Sequence, residues 1–371
     1  MSVIFDTEVF VAGGGPAGLA AAIAARQRGM EVTVVDCAIP PIDKACGEGI
    51  MPDGLAALKR LGISLSPALA HSFQGIRFVN ENHAVNADFP NGKGYGIRRT
   101  RLHRILTGRA LELGVRMHWG ARITGVTSNG VSIGGREVSC KWLVCADGQN
   151  SRLRVWSGLE QSRVPLKRYG FRRHFLLQPW SSYVEIYWAE CGQMYVTPVG
   201  PEEICIALIT RNPQLRFCEA LECFPELERR LRVAQPGTRE QGAVTPSRKL
   251  NRVCRGRTAL IGEASGSVDA ITGEGLSMGF RQAVALADAM KAGDLAGYQR
   301  AHGRIARLPR AMSALMLMMD QNHGFRKRVF RAFAAEPAFF SRLLAIHTGA
   351  ISPVNFGTVR ALSLGWHLLM A

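Results

Sequence analysis

The chain has 371 residues, of which 47% are hydrophobic and 20% are charged, and its formal net charge is +17. This composition is typical of globular proteins, excludes a largely disordered chain and leaves room for two domains. The basic residues are scattered without a helix-turn-helix, zinc-finger or base-stacking signature, so we expect no nucleic-acid partner. The charge instead favours an anionic substrate, lipid headgroups or a solvated basic surface.

The nine cysteines lack CxxC spacing, which is typical of a protein in a reducing cytosol without disulfides or a zinc site. The chain begins without a signal-peptide pattern, and its apolar runs are shorter than the ~18 residues of a membrane span. We therefore expect a cytoplasmic protein with no metal site.

The first predicted elements lie in VFVAGGGPAGLAAAIAARQRGMEVTVVD, residues 9–36. The apolar β-prone start predicts a buried parallel strand. Gly13 permits a tight turn, Gly15 allows backbone to approach a pyrophosphate, and Gly18 allows the following helix to pack against the strand. Pro16 suits the first helical position. The stretch predicts a strand, a glycine turn and a helix, which is the pattern of a dinucleotide site.

The second strand, EVTVVD, ends in Asp36, where a carboxylate can accept hydrogen bonds from a ribose. The phosphates would lie at the helix N-terminus, where unpaired N–H groups and the helix dipole favour anions. Next, KACGEGIMPDGLAALKRLGI (residues 44–63) predicts a glycine-bearing loop that enters a helix near Pro52, with Asp53 in its first turn.

Further along, WLVCADGQNSRLR (residues 142–154) predicts an apolar strand that ends at Asp147. Residues 160–250 alternate between apolar and polar types, which predicts antiparallel strands with one apolar face. Alternation also places Arg172 and His174 on one face of their strand and Arg173 on the other. Residues 259–288 predict a strand, a polar loop, a Gly-Glu-Gly turn and a helix.

After Asp288 the pattern is helical, and Pro309 and Pro337 are expected to interrupt it. Apolar residues mix with arginines at helical spacing. The segment ALMLMM (residues 314–319) is interpreted as core or pocket lid. The basic apolar face leaves open a peripheral membrane contact or a route for a hydrophobic substrate.

Three of these segments, residues 9–36, 142–154 and 259–288, together resemble the flavoprotein monooxygenase superfamily with the p-hydroxybenzoate hydroxylase type of fold. That superfamily includes geranylgeranyl reductases and flavin halogenases. The resemblance spans roughly residues 6–290. It implies an α/β protein with a Rossmann-like FAD-binding domain, an inserted and mostly antiparallel β-sheet substrate domain, and C-terminal helices. The corresponding boundaries are 1–75, 96–158 and 250–292 for FAD binding, 76–95 and 159–249 for the substrate domain, and 293–371 for the helices.

The resemblance also implies non-covalent FAD, with NADH or NADPH as its reductant. GIRRTRLHRIL (residues 96–106) and ARITGV (residues 121–126) match further cofactor-binding segments of the family. Two positions depart from it: Glu263 stands where the family usually has aspartate, and Ala270 where it has proline. The implied cofactor-binding residues are Gly13, Gly15, Pro16, Ala17, Gly18, Asp36, Cys37, Lys44, Ala45, Gly47, Arg99, Arg122, Ile123, Asp147, Gly148, Gly262, Glu263, Gly273, Gly275 and Leu276.

The candidate catalytic residues are Cys46, Glu48, His174 and Tyr195. The loop around Cys46 resembles the Cys-Gly loop that lies over the flavin in geranylgeranyl-reductase-like proteins. A buried thiol, a helix-entry carboxylate and a structural histidine are the alternatives for the first three. The prenyl reductases also carry Tyr-x-Trp-x-Phe-Pro; here Gln193, Tyr195 and Thr197 precede the proline.

The altered signature favours an NAD(P)H-dependent monooxygenase that hydroxylates an aromatic or polyketide-like molecule. The Cys-Gly-Glu-Gly loop supports the alternative, a reductase of alkene or isoprenoid substrates. A flavin halogenase and a non-catalytic FAD-binding protein are further alternatives, although a Trp-x-Trp-x-Ile-Pro segment is missing. The sequence predicts a hydrophobic or aromatic small-molecule substrate and leaves the oligomeric state open.

Overall fold

A computed structural model describes residues 6–160 and 166–352. Its first sheet has the order β18-β19-β11-β1-β2-β8, and β1 pairs in parallel with both β2 and β11. β9 and β10 extend it as an antiparallel arm on β11. The strands are β1 (Thr7–Ala12), β2 (Val32–Asp36), β8 (Arg116–Trp119), β9 (Ile123–Val126), β10 (Gly130–Ile133), β11 (Arg136–Cys145), β18 (Cys254–Arg255) and β19 (Thr258–Leu260).

Helices cover the first sheet and bury its apolar strands. The residues of β1 are almost fully buried, as a parallel strand with helices on the sheet faces requires. Phe10, Leu19, Ile23 and Phe280 belong to one core of buried side chains. The helices of this part are α1 (Pro16–Arg26), α2 (Pro52–Arg60), α3 (Arg99–Glu112), α4 (Arg152–Trp156) and α7 (Gly275–Ala292).

The second sheet has the order β16-β12-β15-β14-β13-β5-β6, and β17 pairs with β12. All of its pairs are antiparallel except the one between β13 and β5. Its strands are β5 (Gly75–Val79), β6 (Ala84–Asp88), β12 (Leu166–Leu176), β13 (Tyr183–Ala189), β14 (Gly192–Gly200), β15 (Glu203–Thr210), β16 (Gln235–Pro236) and β17 (Gln241–Ser247). The predicted fold class, with a parallel sheet and a mostly antiparallel sheet, is confirmed.

The prediction of a single apolar face is wrong for the central strand of this sheet. Eight of the nine residues of β14 are buried, on both faces. One face packs on α5 (Phe217–Ala220) and α6 (Pro225–Leu231), two helices that the sequence did not predict. The other face packs on the C-terminal helices. Polar residues on β14 are therefore interior residues that need partners within the protein.

A small sheet joins the two larger ones. β3 (Gly49–Ile50), β4 (His71–Phe73) and β7 (Gly94–Gly96) form it, in the order β3-β7-β4. A Cβ built on Gly96 would lie 1.9 Å from the Pro198 carbonyl oxygen, so β7 touches the backbone of β14 directly. This contact brings the loop before β3 next to the second sheet.

Three C-terminal helices complete the described chain: α8 (Leu295–Gln321), α9 (His323–Ala335) and α10 (Pro337–His347). The expected interruption at Pro309 is wrong, because Pro309 is buried inside α8 and the helix continues past it. A proline removes one backbone hydrogen bond, and α8 continues through Pro309 despite that loss. Pro337 does begin a new helix, in the N1 position that suits proline. Residues 353–371, part of the predicted helical segment, lie outside the described residues.

Candidate functional site

Gly13 and Gly18 are required by close backbone packing behind the first turn. Gly13 has a φ of +118°, and a Cβ there would lie 2.3 Å from the Ala146 carbonyl oxygen. A Cβ on Gly18 would lie 1.9 Å from the Gly13 carbonyl oxygen. Both distances are shorter than van der Waals contact, so these positions accept glycine alone. The ends of β1 and β11 and the start of α1 are thereby held together.

The outer side of the same turn is open. Gly15 is the N-cap of α1. In the described part of the chain, no side chain caps this helix and no other residue comes within 4 Å of a Cβ built on Gly15. The first N–H groups of the helix therefore face free space. Such a helix end binds phosphate groups through these N–H groups and the helix dipole.

Asp36 lies at the end of β2 and is fixed by the glycine turn. Its Oδ2 accepts a 2.6 Å hydrogen bond from the Gly14 N–H, and its Oδ1 accepts one of 2.8 Å from the Ala38 N–H. His103 of α3 supports the turn from behind, with Nε2 2.9 Å from the Gly14 carbonyl oxygen. Burial lowers the pKa of His103, so the neutral ring donates this hydrogen bond. Sequence reasoning missed His103, which the motif patterns did not mark.

The three predicted motifs converge on the N-terminal end of α1. A Cβ built on Gly262 would lie 2.8 Å from the Ala17 Cβ, and one on Gly279 of α7 would lie 3.3 Å from it. The Gly262 N–H donates to the Gln282 Oε1 at 2.9 Å. On the other side, a Cβ on Gly148 would lie 3.5 Å from the Lys44 Nζ.

The side chains of Asp147 and Glu263 differ in their surroundings. Asp147 Oδ1 accepts a 2.5 Å hydrogen bond from the Ser151 hydroxyl, and Oδ2 accepts a 3.2 Å bond from the Leu153 N–H, so this carboxylate supports α4. Glu263, which departs from the family pattern, is exposed in a short 3₁₀ turn. Cys37 and Arg122 are also exposed, whereas Leu276 and Ile123 are partly buried.

These residues fit an extended dinucleotide such as FAD. Gly15, Gly47, Gly273 and Gly275 all border open space, with no protein atom within 4 Å of an added Cβ. Arg99 begins α3 beside this space, and its buried Nε has no hydrogen-bond partner among the described residues. Glycine backbone for close approach, a helix N-terminus for phosphate and an unpaired guanidinium N–H are what such a cofactor needs.

The loop before β3 is held by Glu48. This residue has a φ of +58°, which is strained for any residue except glycine, and its side chain is 2% exposed. Its Oε1 accepts a 2.7 Å hydrogen bond from the Arg99 N–H, and its Oε2 lies 2.7 Å from the His174 Nε2. The carboxylate thus joins the loop to α3 and to β12.

Arg172 fixes the other end of this loop. It is 1% exposed, and its Nη2 donates 2.7 Å hydrogen bonds to the Asp43 Oδ1 and the Gln241 Oε1. Its Nη1 lies 3.1 Å from the His174 Nδ1. A guanidinium only donates, so His174 accepts at Nδ1 and carries its hydrogen on Nε2, towards Glu48. Arg172 and His174 share one strand face, as predicted, and Arg173 lies on the other, stacked on Phe175.

Cys46 lies inside this fixed loop. Its Sγ accepts a 3.4 Å hydrogen bond from the Glu48 N–H. Burial raises the pKa of the Cys46 thiol and outweighs the opposing effect of Arg99. The sulfur is therefore protonated at neutral pH, and it suits donation of a proton better than nucleophilic attack.

Glu48, His174 and Cys205 also place three possible metal ligands within 4.8 Å of one another. Two guanidinium groups surround them, because Arg98 Nε lies 4.0 Å from Glu48 Oε2 and Arg172 contacts His174. This positive charge disfavours a divalent cation. Glu48 and His174 are moreover bonded to each other, so the cluster is suited to holding the loop.

Tyr195 of β14 lies on the face that meets the C-terminal helices. Its hydroxyl donates a 2.7 Å hydrogen bond to the Ile271 carbonyl oxygen, and burial raises its pKa. Gln193, two residues earlier, donates from Nε2 to the Asp320 Oδ1 at 2.5 Å. Both side chains tie the second sheet to neighbouring segments.

A buried ion-pair network lies beside these two residues. Arg168 is fully buried, and it donates to the Asp269 Oδ1 at 3.1 Å and to the Gln193 Oε1 at 2.6 Å. Asp320 Oδ1 lies 3.5 Å from Arg168 Nη2. Asp269 in turn accepts a 3.0 Å hydrogen bond from the Ile271 N–H. The network joins β12, β14 and α8 to the turn before Gly273, and sequence patterns did not reveal it.

His302 on α8 predicts a pH dependence of stability. Its Nε2 lies 2.9 Å from the Ser265 Oγ, which donates to the Gly262 carbonyl oxygen at 2.7 Å, and burial lowers the pKa of His302 to about 4. The unfolded state binds a proton near pH 6.5 and the folded state only near pH 4. We expect stability to fall as pH decreases from 6.5 to 4, with about 3 kcal/mol of that loss coming from His302.

Urea unfolding between pH 4 and 8 measures this dependence. The His302→Gln variant should show a shallower decline, and part of it should remain because burial also lowers the pKa of His347 to about 4. The exposed His118 provides the matched control, His118→Gln. A decline equally steep in wild type and His302→Gln would contradict the assignment.

Comparisons with known proteins agree with this geometry. A family model described as FAD binding domain matches residues 6–189. Menaquinone reductase from Mycobacterium tuberculosis is 28% identical over 326 residues, covering 80% of this chain and 79% of that protein. Digeranylgeranylglycerophospholipid reductase 1 from Methanothermobacter thermautotrophicus is 24% identical over 324 residues, covering 80% and 77%. A flavoprotein/dehydrogenase structure from Cytophaga hutchinsonii superimposes with a TM-score of 0.80 at 16% identity, covering 98% of both chains.

Proposed function

We propose, on the premise that this chain belongs to the FAD-dependent monooxygenase superfamily and is an FAD-dependent oxidoreductase, that it reduces a carbon–carbon double bond in an isoprenoid-bearing lipid. NADH or NADPH is the proposed reductant. Sequence reasoning favoured hydroxylation and kept alkene reduction as the alternative. Similarity along about 80% of the chain to proteins named for the reduction of menaquinone and of a digeranylgeranyl lipid moves the balance towards reduction.

The observation that carries this proposal is the fixed Cys46 loop beside the cofactor-binding segments. Reduction of an alkene adds a hydride to one carbon and a proton to the other. Bound FAD, once reduced by NADH or NADPH, would supply the hydride. The chain must supply the proton, and the Cys46 thiol is protonated because burial raises its pKa. The Glu48 N–H donates to the Cys46 sulfur, and the Glu48 carboxylate is in turn held by His174, so the loop that carries the thiol is fixed.

An apolar interior next to this loop supports a hydrophobic substrate. Side chains of β5, β14 and the C-terminal helices form an aromatic cluster, in which the Phe78 and Phe340 rings lie 4.6 Å apart. Met51, at the start of α2, belongs to the same cluster.

The C-terminal helices support contact with a lipid surface. Residues 295–352 contain nine arginines and lysines against two acidic residues. Arg304, Arg307, Lys327 and Arg328 are exposed, and Met318 is 48% exposed between them. Among the described residues, no helix combines the length and apolar composition that a membrane crossing needs. Basic residues that flank an exposed apolar side chain favour peripheral binding to anionic lipid, where a lipid substrate is available.

Product analysis tests the proposed reaction directly. The purified protein, FAD and NAD(P)H are incubated without oxygen with a prenylated quinone or a geranylgeranyl lipid in anionic vesicles. Gain of two hydrogen atoms by the isoprenoid chain is the expected result, measured after any quinol has been reoxidised to the quinone. Products that form only in air and contain an added oxygen atom would overturn it.

The Cys46→Ala variant should lose about 10²-fold in turnover, the lower end of what a positioned proton donor contributes. Flavin content should stay unchanged, because the thiol leaves the phosphate-binding glycines untouched. Cys218→Ala, at an exposed cysteine, is the matched control. Wild-type turnover by Cys46→Ala would remove this residue from the mechanism.

Hydroxylation remains the second candidate because the prenyl-reductase signature is altered on β14. Gln193 and Thr197 stand where the prenyl reductases carry aromatic residues, and Thr197 Cγ2 would lie 3.7 Å from a Cβ on Gly49 in the fixed loop. Thr197 is buried and meets this position through its methyl group, so the replacement of an aromatic residue here weakens the match to a long isoprenoid site. The same incubation in air with an aromatic substrate distinguishes the two reactions through the oxygen content of the product.

A further inference from the structure

A buried carboxyl group lies between the two glycines of the third motif. Glu274 is 2% exposed and is the N-cap of α7, an 18-residue helix. Its side chain makes no capping hydrogen bond, and its Oε2 has no hydrogen-bond partner among the described residues. A carboxylate at a helix N-terminus normally binds the free N–H groups. Glu274 is therefore a buried acid that does not cap the N-terminus of α7 with its side chain.

Three charged or titratable groups act on Glu274, one each from α2, from α7 itself and from α10. Asp53 is in the first turn of α2, Arg281 lies two turns along α7, and His347 ends α10. The Arg281 Nη1 lies 3.4 Å from the Asp53 Oδ2, so the one cation is shared with the second acid. Burial raises the pKa of Glu274 well above its usual range, and Asp53 adds to this effect.

His347 offers an acceptor for the Glu274 proton. Its Nδ1 lies 3.9 Å from the Glu274 Oε2, and this nitrogen also lacks a hydrogen-bond partner in the described part of the chain. Burial lowers the pKa of His347 to about 4, while a hydrogen bond with the Thr272 backbone opposes that change. At neutral pH the pair therefore holds one proton and no net charge.

We propose that Glu274 is a positioning residue that holds a proton at the N-terminus of α7 and so keeps this helix end positive for the negative charge of the reduced flavin. The glycines on both sides border the open space into which FAD fits. A neutral Glu274 leaves the helix dipole available to that charge, whereas an ionised Glu274 would oppose it. A negative charge on the reduced flavin therefore disfavours ionisation of Glu274, and an ionised Glu274 disfavours reduction of the flavin.

The linkage has a defined proton balance. Two electrons and one proton convert oxidised FAD to its singly charged reduced form. Above the pH at which Glu274 ionises in the oxidised protein, reduction also returns a proton to the Glu274 carboxylate. Electrons come from NAD(P)H in turnover and from a chemical reductant in a titration.

The test is the midpoint potential of the bound flavin as a function of pH, in wild type and in Glu274→Gln. At low pH both proteins should give the same slope. At alkaline pH the slope of the wild-type potential against pH should become steeper by about 30 mV per pH unit. This increment corresponds to a tenfold change in the equilibrium constant per pH unit for a two-electron reduction. The Glu274→Gln potential should keep its slope, and Glu222→Gln, at an exposed acid, should follow wild type.

Equal slopes in wild type and Glu274→Gln over the whole pH range would overturn the proposal. If the variant does not retain FAD, the wild-type protein alone tests the proposal. The slope of its potential against pH must then change at the same pH at which the infrared band of the protonated carboxyl group disappears. Absence of that band at neutral pH also overturns the proposal. The measurement needs bound FAD but no lipid substrate, so its outcome is independent of the proposed alkene reduction.

Discussion

Replacing Arg168 with methionine is expected to lower the free energy of unfolding by about 3–5 kcal/mol, because two acids lose their buried counter-charge. Asp269 and Asp320 are both buried beside the fully buried guanidinium. Methionine fills the space of the arginine stem but donates no hydrogen bond. Asp320 keeps a contact with the half-exposed Arg211 at 3.3 Å, so Asp269 carries most of the loss.

Chemical denaturation of the purified variants measures this effect. Arg173→Met is the matched control, because Arg173 lies on the opposite face of the same strand, 5.7 Å from the centre of the Phe175 ring. Its substitution should cost no more than about 1 kcal/mol. Equal losses from the two substitutions would show that the buried network does not stabilise the fold.

The substitution Gly15→Ala is expected to abolish tight FAD binding while leaving the fold intact. A Cβ at this position meets no protein atom within 4 Å, so the substitution creates no clash within the protein. The methyl group would occupy the space that the phosphates need at the N-terminus of α1. We expect affinity for FAD to fall by about 100-fold or more, which corresponds to roughly 3 kcal/mol.

Flavin fluorescence quenching gives the affinity, and thermal unfolding of the apoprotein gives the stability. Gly108→Ala is the control: Gly108 lies within α3, and a Cβ there also meets no protein atom within 4 Å. Alanine in a helix interior should stabilise by about 0.5–1 kcal/mol without changing FAD affinity. Unchanged FAD affinity in Gly15→Ala would exclude this turn as the phosphate site.

The reaction type was the property of this protein that was hardest to predict from the sequence. The altered β14 signature, with Gln193 and Thr197, weakened the match to an isoprenoid site and favoured hydroxylation of an aromatic or polyketide-like molecule. In the structure Gln193 is committed to Arg168 and Asp320. Its polarity is therefore accounted for within the protein, and Gln193 by itself gives no direct evidence for hydroxylation.

The sequence by itself determined the cofactor-binding elements. Gly13, Gly18 and Pro16 specify a backbone conformation that few other residues allow, so their spacing predicts a turn and a helix start without any knowledge of the rest of the chain. Alternation likewise predicted which faces Arg172 and Arg173 occupy. These features depend on neighbouring residues, and neighbours are visible in a sequence.

The tertiary structure alone decided which side chains meet. Glu48 and His174 are 126 positions apart, and Arg168 and Asp269 are 101 apart. Glu274 likewise lies near Asp53 of α2 and His347 of α10, which come from distant parts of the chain. Whether an acid is exposed, paired or neutral depends on the solvent and charge that remain after such packing. A pattern of residue types along the chain carries no record of that environment.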